Sequence, residues 1–358
     1  MTLYTNSSGS WNNVIGLFAK TSSTWRTIVT QHIKDSGSWR LSYAIPRGIF
    51  VGGDTTTPSY EYPLEIEYIT ITTTGNSSLF GYLSSGRYHT AGCASISRGI
   101  IGSGYVQGAT IVADGEIFYI TIMTLGNSNS FGTLSPARAQ IGSLSNSIRG
   151  IFAGGATMNP IGRFNNIDYI TIATTGNSVV FGVFSQNGRL MHNGTCASNT
   201  RGIFYAGERY SSSWTMIGEI EYITIATTGN PSSFGSIISP STTDLTGGCS
   251  NATRGVFAGG SDGTSSSKVN IIRYITIATT GNSNSFGTIS YARNSFGASS
   301  STIRGVFGGG NGYPANPATT ILMEYVTIST TGNAVTFGNL IRYREANTGF
   351  SNSHGGLI

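Results

Sequence analysis

Residues 273–287 of this 358-residue chain read RYITIATTGNSNSFG, and close copies of this stretch occur at five other places. Repetition at a fixed period indicates a structural unit that needs neighbours to bury its own faces. An Arg-Gly pair precedes each copy, and the intervals between successive pairs are 51, 51, 52, 53 and 50 residues. The six arginines are Arg47, Arg98, Arg149, Arg201, Arg254 and Arg304.

Each unit reads as four short strands, exemplified by GCASIS (92–97), RGIFVGG (47–53), IEYITI (66–71) and FGYLS (80–84). The runs are rich in β-branched and aromatic residues, and Gly, Ser, Thr and Asn fill the turns between them. Four strands in a repeat of this length are typical of a propeller blade. The sequence therefore predicts an all-β, six-bladed β-propeller over residues 47–358.

Closure of the ring is predicted from the two ends of this region. The first unit begins SYAIPRGIF (42–50) and lacks the Gly/Ser-rich strand that precedes Arg-Gly elsewhere, whereas residues 345–358 read EANTGFSNSHGGLI and resemble that strand. We expect the C-terminal strand to complete the first blade. This velcro closure leaves no open edge in the ring.

Paired glycines follow the second strand in four units, at Gly52-Gly53, Gly154-Gly155, Gly259-Gly260 and Gly309-Gly310. The second and fourth units have Ser103-Gly104 and Ala206-Gly207 instead. An arginine follows the fourth strand at Arg87, Arg138, Arg189, Arg293 and Arg344, and Ser241 lies near the corresponding place in the remaining unit. In these positions the sequence resembles kelch repeats.

Residues 1–46 form a separate module in which Trp11, Trp25 and Trp39 recur at intervals of 14. Each interval fits a pair of short strands with a Ser/Gly turn. A sheet this small is marginal on its own. We predict that this module serves attachment or oligomerisation, completed by a partner or by its own copies; packing on the propeller edge is the alternative.

The two faces of the predicted propeller differ in sequence. One face carries the Arg-Gly turns and the Thr-Thr-Gly-Asn turns, which recur and which we interpret as turns of fixed geometry, because Gly and Asn tolerate positive φ. The other carries loops of varied length and chemistry. Variable loops on a rigid base favour a recognition surface, although loops also diverge when nothing constrains them. The candidate ligand-binding residues are Tyr60, Tyr62, Arg87, His89, Tyr105, Arg189, His192, Tyr210, Trp214 and Tyr313.

The formal net charge is +5, but the 20 basic residues form no block that would bind a phosphate backbone, so nucleic acid is not a predicted partner. No signal peptide and no membrane-spanning stretch is recognisable. Cys93, Cys196 and Cys249 occupy equivalent places in different units, which predicts buried free thiols rather than disulfides.

Catalysis is the minority interpretation. Kelch-type enzymes that resemble galactose oxidase need a copper site of His and Tyr ligands, and nothing in the sequence brings His89 and His192 together. No hydrolase, zinc-protease or nucleotide-binding motif occurs. We therefore predict no catalytic residue, no metal and no cofactor.

The phrases RGIFAGG (149–155), YITIATTGN (169–177) and FGTLS (131–135), behind a Trp-repeat module, resemble kelch-like propeller proteins in virions of tailed bacteriophages. This resemblance implies a structural virion protein made in the host cytoplasm, such as a tail fibre or appendage. Residues 1–46 would contact other virion proteins, and the propeller loops a host-surface glycan or protein. The alternatives are a purely architectural virion protein and a secreted kelch-type carbohydrate-active enzyme.

Overall fold

The computed structural model describes the chain apart from residues 1–3, 8–9, 14–17, 22–23, 28–29, 36–37, 56–60, 108–109, 186–188, 211–213, 239–244, 263–266, 313–318 and 358. For the other residues before 45, and for residues 107, 210 and 214, only the backbone is described. The internal contacts divide the chain into two units, Met1–Ile45 and Pro46–Ile358.

The first unit contains three antiparallel hairpins. Their strands are Tyr4–Ser7 with Ser10–Asn13, Phe18–Thr21 with Thr24–Thr27, and Thr30–Asp35 with Ser38–Ala44. The three tryptophans hold the same register position, opposite Asn6, Lys20 and Lys34. The short strand pairs predicted from the 14-residue interval are therefore present.

The second unit contains six four-stranded antiparallel sheets, which we number 1 to 6. Sheet 1 consists of Thr348–Ser351, Arg47–Val51, Glu65–Thr70 and Ser78–Tyr82. Sheet 2 consists of Ala91–Ala94, Arg98–Gly102, Glu116–Thr121 and Asn129–Thr133. Sheet 3 consists of Gly142–Ser145, Arg149–Ala153, Asn166–Thr171 and Val179–Val183.

The other three sheets repeat this strand order. Sheet 4 consists of Thr195–Ala197, Arg201–Tyr205, Glu219–Thr224 and Ser232–Ser236. Sheet 5 consists of Gly247–Ser250, Arg254–Ala258, Ile271–Thr276 and Asn284–Thr288. Sheet 6 consists of Gly297–Ser300, Arg304–Gly308, Leu322–Thr327 and Val335–Asn339. The all-β class predicted from the sequence is thus confirmed.

Sheet 1 takes its first strand from the far end of the chain. Thr348 pairs with Val51 and Ser351 pairs with Gly48 in antiparallel register. The backbone N–H of Arg47 also donates to Asn352 Oδ1 at 2.8 Å. The predicted pairing of the C-terminal strand with the first repeat, at Arg47–Val51, is confirmed.

Neighbouring sheets share hydrophobic clusters, one each for the pairs 1–2, 2–3, 3–4, 4–5, 5–6 and 6–1. In the cluster between sheets 6 and 1, Phe50 and Ile69 lie against Met323 and Phe337. The first strands contact one another in the same order, and sheet 1 contacts both sheet 6 and sheet 2. The sequence of contacts between sheets therefore closes on itself.

A β-bulge interrupts the pairing of the third and fourth strands at the same place in every sheet. The residues that follow the shift are Glu67, Phe118, Asp168, Glu221, Arg273 and Glu324. A bulge re-aims a side chain that would otherwise follow the alternation of the strand. Five of these six positions carry a charged residue.

Short additional strands lie in the loops after the second strands and in the connections from the fourth strands into the next sheet. They are Arg87–Tyr88, Tyr105–Gln107 and Ile111–Ala113; Ala156–Thr157 and Gly162–Arg163; Arg189–Leu190, Glu208–Tyr210 and Trp214–Met216; and Arg293–Asn294 and Asn311–Gly312. A 3-10 helix spans Gly355–Leu357. Across the described part of the chain, no helix has the length and apolar character needed to span a membrane.

Candidate functional site

We call the side that carries the Arg-Gly turns the turn face, and the side that carries the variable connections the loop face. On the turn face, each Arg-Gly arginine lies over the tyrosine ring of its own third strand, at 4.2 to 4.6 Å from the ring centre. Each guanidinium also donates to a carbonyl of the next sheet, as Arg304 does to Ile71 and Thr72 of sheet 1. These arginines therefore hold neighbouring sheets together.

The asparagine of the Thr-Thr-Gly-Asn turn has the same effect. Asn127 Oδ1 accepts the N–H of Tyr82, in the fourth strand of the preceding sheet, at 3.0 Å. Equivalent bonds are made by Asn76, Asn177, Asn230, Asn282 and Asn333. None of the six asparagines has positive φ, so our interpretation from turn geometry was wrong for this residue. A contact between sheets explains why it recurs.

The recurring glycine of Phe-Gly has a related cause. A Cβ on Gly132 would collide with the carbonyl oxygen of Gly176, in the turn of the next sheet, and every sheet shows this approach. The N–H of Gly176 donates to the Phe131 carbonyl at 2.8 Å. Each turn thereby covers part of the outer edge of its neighbour, an edge that would otherwise be open to pairing with other chains.

On the loop face, the second set of arginines is buried, and four of its five members form ion pairs with the bulge residues. Arg344 contacts Glu67 at 2.6 Å and Arg293 contacts Glu324 at 2.9 Å, and all four side chains are buried. Arg138 pairs in the same way with Asp168. Burial raises the pKa of Asp168, and the charge of Arg138 opposes this effect. In sheet 5 the bulge residue is Arg273, also buried, and Ser241 lies outside the described residues.

Two predicted binding residues belong to this buried set. Arg87 pairs with Asp114 at 3.3 Å and lies over the Phe118 ring. Arg189 pairs with Glu221. Because both side chains are buried and their charges are paired, we correct the prediction that Arg87 and Arg189 contact a ligand. They stabilise the fold.

The predicted aromatic residues differ in burial and in how much of each the structure describes. Tyr105 is fully buried and packs with Tyr88, so it offers no ring to a ligand, and this prediction is also corrected. Tyr62 stacks on Tyr88 at 5.1 Å and is half-buried. Tyr60 and Tyr313 lie outside the described residues. The backbones of Tyr210, Trp214, Trp11, Trp25 and Trp39 lie in strands, but their side chains are not among those described.

The connections into the first strands share an unusual backbone conformation. One residue in each has φ between 45° and 59°, the left-handed region: His89, Gln140, His192, Leu245, Ser295 and Ala346. Successive members are hydrogen-bonded through the backbone, with N–H to carbonyl distances of 2.7 to 3.3 Å for five of the six steps. We call these six residues the left-handed ring. Left-handed backbone costs about 1–2 kcal/mol at a non-glycine residue, and here the hydrogen bonds hold it.

Side chains of the left-handed ring enclose a small cavity. The imidazole rings of His89 and His192 have centres 5.1 Å apart. Thr90, Gln140, Ile141, Asn193, Leu245, Ser295 and Ala346 line the remainder of this cavity of about 10 Å³. Burial lowers the pKa of His89 to about 4 and that of His192 well below its usual range, so both imidazoles are neutral at pH 7. The structure thus brings together two histidines that the sequence left apart.

A second cavity, of about 60 Å³, lies between the six first strands. Serine hydroxyls join these strands from sheet to sheet; Ser145 Oγ donates to the Ala94 carbonyl, and Ser250 Oγ to the Ala197 carbonyl, both at 2.8 Å. Asn193 Nδ2 donates to the carbonyls of Phe296 and Asn347 and thereby crosses from sheet 4 to sheets 6 and 1. Little open space remains at the loop-face end of this cavity.

His354 lies at the turn-face end of this cavity. Its Nε2 is 3.1 Å from the Ala94 carbonyl oxygen and 3.2 Å from Ser145 Oγ, and its Nδ1 accepts the N–H of Gly356 at 3.1 Å. A neutral ring with its proton on Nε2 satisfies all three contacts. Burial lowers the pKa of His354 to about 4.

The three cysteines are free and buried, as predicted. Each thiol lies against the glycine of an Arg-Gly pair: Cys93 against Gly150, Cys196 against Gly255, and Cys249 against Gly305. Burial raises the pKa of Cys93 and Cys249 to about 12. A thiol that stays protonated is a poor nucleophile and a poor metal ligand.

Sequence reasoning missed an exposed apolar group on the loop face. Val112, Met158 and Ile161 are exposed, Ile161 by 79%. Their loops touch, because Asn159 Nδ2 donates to the Ile111 carbonyl at 2.9 Å. We call Val112, Met158 and Ile161 the apolar loop patch. The signal was present in the sequence as apolar residues in otherwise polar connections.

Compared with protein-family models and with curated proteins, the chain matches none. Among the described residues, no group of three or more His, Cys, Asp or Glu side chains is placed to hold a metal ion.

Proposed function

We propose that the six sheets are the blades of a kelch-like β-propeller, and that the protein is a structural component of a tailed-bacteriophage virion whose loop face binds the host surface. The cyclic order of the hydrophobic clusters supports the propeller. The repeat phrases and the Trp module resemble those of phage virion proteins, and this resemblance supports a place in the virion. Residues 1–46 would mount the propeller as a tail fibre or appendage.

One observation carries the binding role. On the turn face, the recurring side chains are engaged in contacts between sheets. On the loop face, the exposed side chains differ from sheet to sheet, as with the apolar loop patch. Exposed apolar side chains rimmed by polar loops are typical of interaction sites. The ligand is a host-surface glycan or protein that covers Val112, Met158 and Ile161.

Two matched substitutions test this proposal. Ile161→Glu charges the loop face, and Ile148→Glu charges an isoleucine of the turn face that is exposed by 61%. In virions carrying these variants, we expect Ile161→Glu to lower the host adsorption rate at least tenfold and Ile148→Glu to leave it unchanged. Equal adsorption rates for both variants would contradict the proposal that the loop face binds the host surface.

A second candidate, a purely architectural virion protein, is favoured by the N-terminal unit. Each described strand there pairs only within its own hairpin, and isolated hairpins are marginal in water. Deletion of residues 1–45 should abolish incorporation into particles while circular dichroism of the remaining unit is retained. Normal adsorption of Ile161→Glu particles together with loss of incorporation on deletion would favour this candidate. Catalytic turnover of a polysaccharide by wild-type protein would favour the third, a carbohydrate-active enzyme.

A further inference from the structure

The cavity of the left-handed ring has the properties of a site for one small ion. Its volume of about 10 Å³ corresponds to a single water-sized particle. Two imidazoles border it, and among the described residues neither ring makes a hydrogen bond to the protein. The hydroxyl of Thr90, which lines the same cavity and is 3% exposed, also has no hydrogen-bond partner among them.

The spacing of the two rings suits a shared metal ion. A metal about 2.0–2.1 Å from one nitrogen of each ring, bonded at a near-tetrahedral angle, leaves the ring centres about 5 Å apart. The observed separation is 5.1 Å, with an angle of 60° between the ring planes. Gln140 stands between the two histidines in the left-handed ring and lines the cavity. Its amide oxygen accepts a hydrogen bond from the Tyr105 hydroxyl at 3.5 Å and has a second lone pair that could serve as a third metal ligand.

Both histidines are held in place before any ion binds. The backbone N–H of His89 donates to the Ala346 carbonyl at 2.8 Å, and the backbone N–H of His192 donates to the Gln140 carbonyl at 3.3 Å. The His89 ring also contacts the rings of Tyr88 and Tyr105. Ligands fixed by packing and second contacts bind a metal with less loss of conformational freedom.

We propose that His89 and His192, with Gln140 between them, bind one divalent transition-metal ion of the Zn²⁺ type in the cavity of the left-handed ring. Imidazole with a neutral oxygen donor suits Zn²⁺, Co²⁺ and Ni²⁺ better than Ca²⁺ or Mg²⁺. The ion links sheets 2, 3 and 4 at the base of the loop face. The metal site is separate from the apolar loop patch, so this proposal does not depend on whether that patch binds the host.

The test uses the full chain, stripped with a chelator and titrated with Zn²⁺ by calorimetry and with Co²⁺ by visible absorption at neutral pH. We expect one ion per chain and a visible spectrum typical of tetrahedral Co²⁺. His89→Asn and His192→Asn should each weaken binding at least 100-fold. Asparagine is chosen because it tolerates the left-handed backbone better than most residues.

Two control variants accompany the titration. His354→Gln removes a buried histidine that borders only the second cavity, and this variant should bind like the wild type. His32→Ala removes the histidine of the N-terminal unit and should also leave the site intact. No saturable binding by the wild type, or undiminished binding by the His89→Asn/His192→Asn double variant, would overturn the proposal.

A measurement on the wild type guards against variants that do not fold. X-ray absorption of the Zn²⁺-loaded chain should show scattering from two imidazole rings with Zn–N distances of about 2.0–2.1 Å. A spectrum with one imidazole or none would reject the site, whatever the variants do.

Discussion

The turn face and the loop face use repetition in different ways. On the turn face the side chains themselves recur, and arginine and asparagine join each sheet to its neighbour. On the loop face the backbone conformation of the left-handed ring recurs, while its side chains are His, Gln, His, Leu, Ser and Ala. The arginines that do recur there lie in the connections between sheets, and each is buried in an ion pair with the sheet that follows. Repetition of backbone leaves side chains free to differ, and this freedom is what a binding face requires.

The largest effect is expected at the buried arginines of the loop face. Arg344→Met leaves Glu67 buried without its partner, which should lower the free energy of unfolding by about 3–5 kcal/mol. Arg342→Met, two residues away, breaks a pair with Glu65 in which Arg342 is 49% exposed, and it should cost under about 1 kcal/mol. Urea denaturation of both variants measures the difference. Equal losses would mean that the buried pair has no special role.

The next effect concerns pH and the turn-face end of the cavity. The folded-state pKa of His354 is about 4, below the value of about 6.5 expected in the unfolded chain. As pH falls from about 6.5 to 4, the unfolded chain takes up the proton first, so stability is lost over this range, by about 3 kcal/mol. Protonation would also turn Nδ1 into a donor facing the Gly356 N–H.

His354→Gln removes this titrating group, so its melting temperature should fall less between pH 7 and pH 4 than that of the wild type. Some pH dependence will remain, because burial also lowers the pKa of His89 and His192. Identical pH profiles for the variant and the wild type would contradict the role of His354 in the loss of stability at low pH.

A smaller effect is expected at the turn-face asparagines. Asn127→Ala removes the acceptor for the Tyr82 N–H and should cost about 1 kcal/mol. Asn129→Ala is the matched control, since Asn129 is exposed and its amide contacts only the Asn127 carbonyl, at 3.4 Å. Thermal unfolding compares the two. If both variants melt together, the recurrence of asparagine at this turn needs another explanation.

The smallest effect tests the repeated backbone. Ala206 takes the place of the first glycine of the pair and has φ of 61°. Ala206→Gly should raise the free energy of unfolding by about 0.5–1 kcal/mol, because glycine adopts this conformation without strain. Ala258→Gly, in an ordinary buried strand, should lower it. A loss of stability in both would show that the left-handed conformation carries no strain at residue 206.

Three features could be predicted from the repeat period of the sequence. They are the four strands of each repeat, the pairing of Thr348–Ser351 with Arg47–Val51, and the buried thiols. The sequence did not predict the burial of Arg87 and Arg189, because their acidic partners are distant in sequence. Asp114 is 27 residues from Arg87 and precedes the third strand, and Glu221 is brought near Arg189 by the bulge. An arginine between polar loop residues reads as exposed until its partner is known.

Two further contacts were not predicted from the sequence: that between His89 and His192, and that between Asn127 and Tyr82. Counted from the recurring arginine, His89 is two residues downstream and His192 is three, so an inserted residue hides their equivalence. Counted back from the Arg-Gly arginine that follows, Arg98 or Arg201, both histidines lie nine residues upstream. The role of Asn127 was hidden because its partner Tyr82 is 45 residues away in another sheet.

The late arrival of the last strand has a consequence for synthesis. Arg47 and its partner Asn352 are 305 residues apart, so sheet 1 has only three strands until nearly all of the second unit has left the ribosome. During that interval, the second strand presents an unpaired edge, the feature by which nascent chains aggregate. Closing so long a loop is slow compared with local pairing. A neighbouring copy that paired its own C-terminal strand with this edge would take the place of Thr348–Ser351 of the same chain and link the two copies.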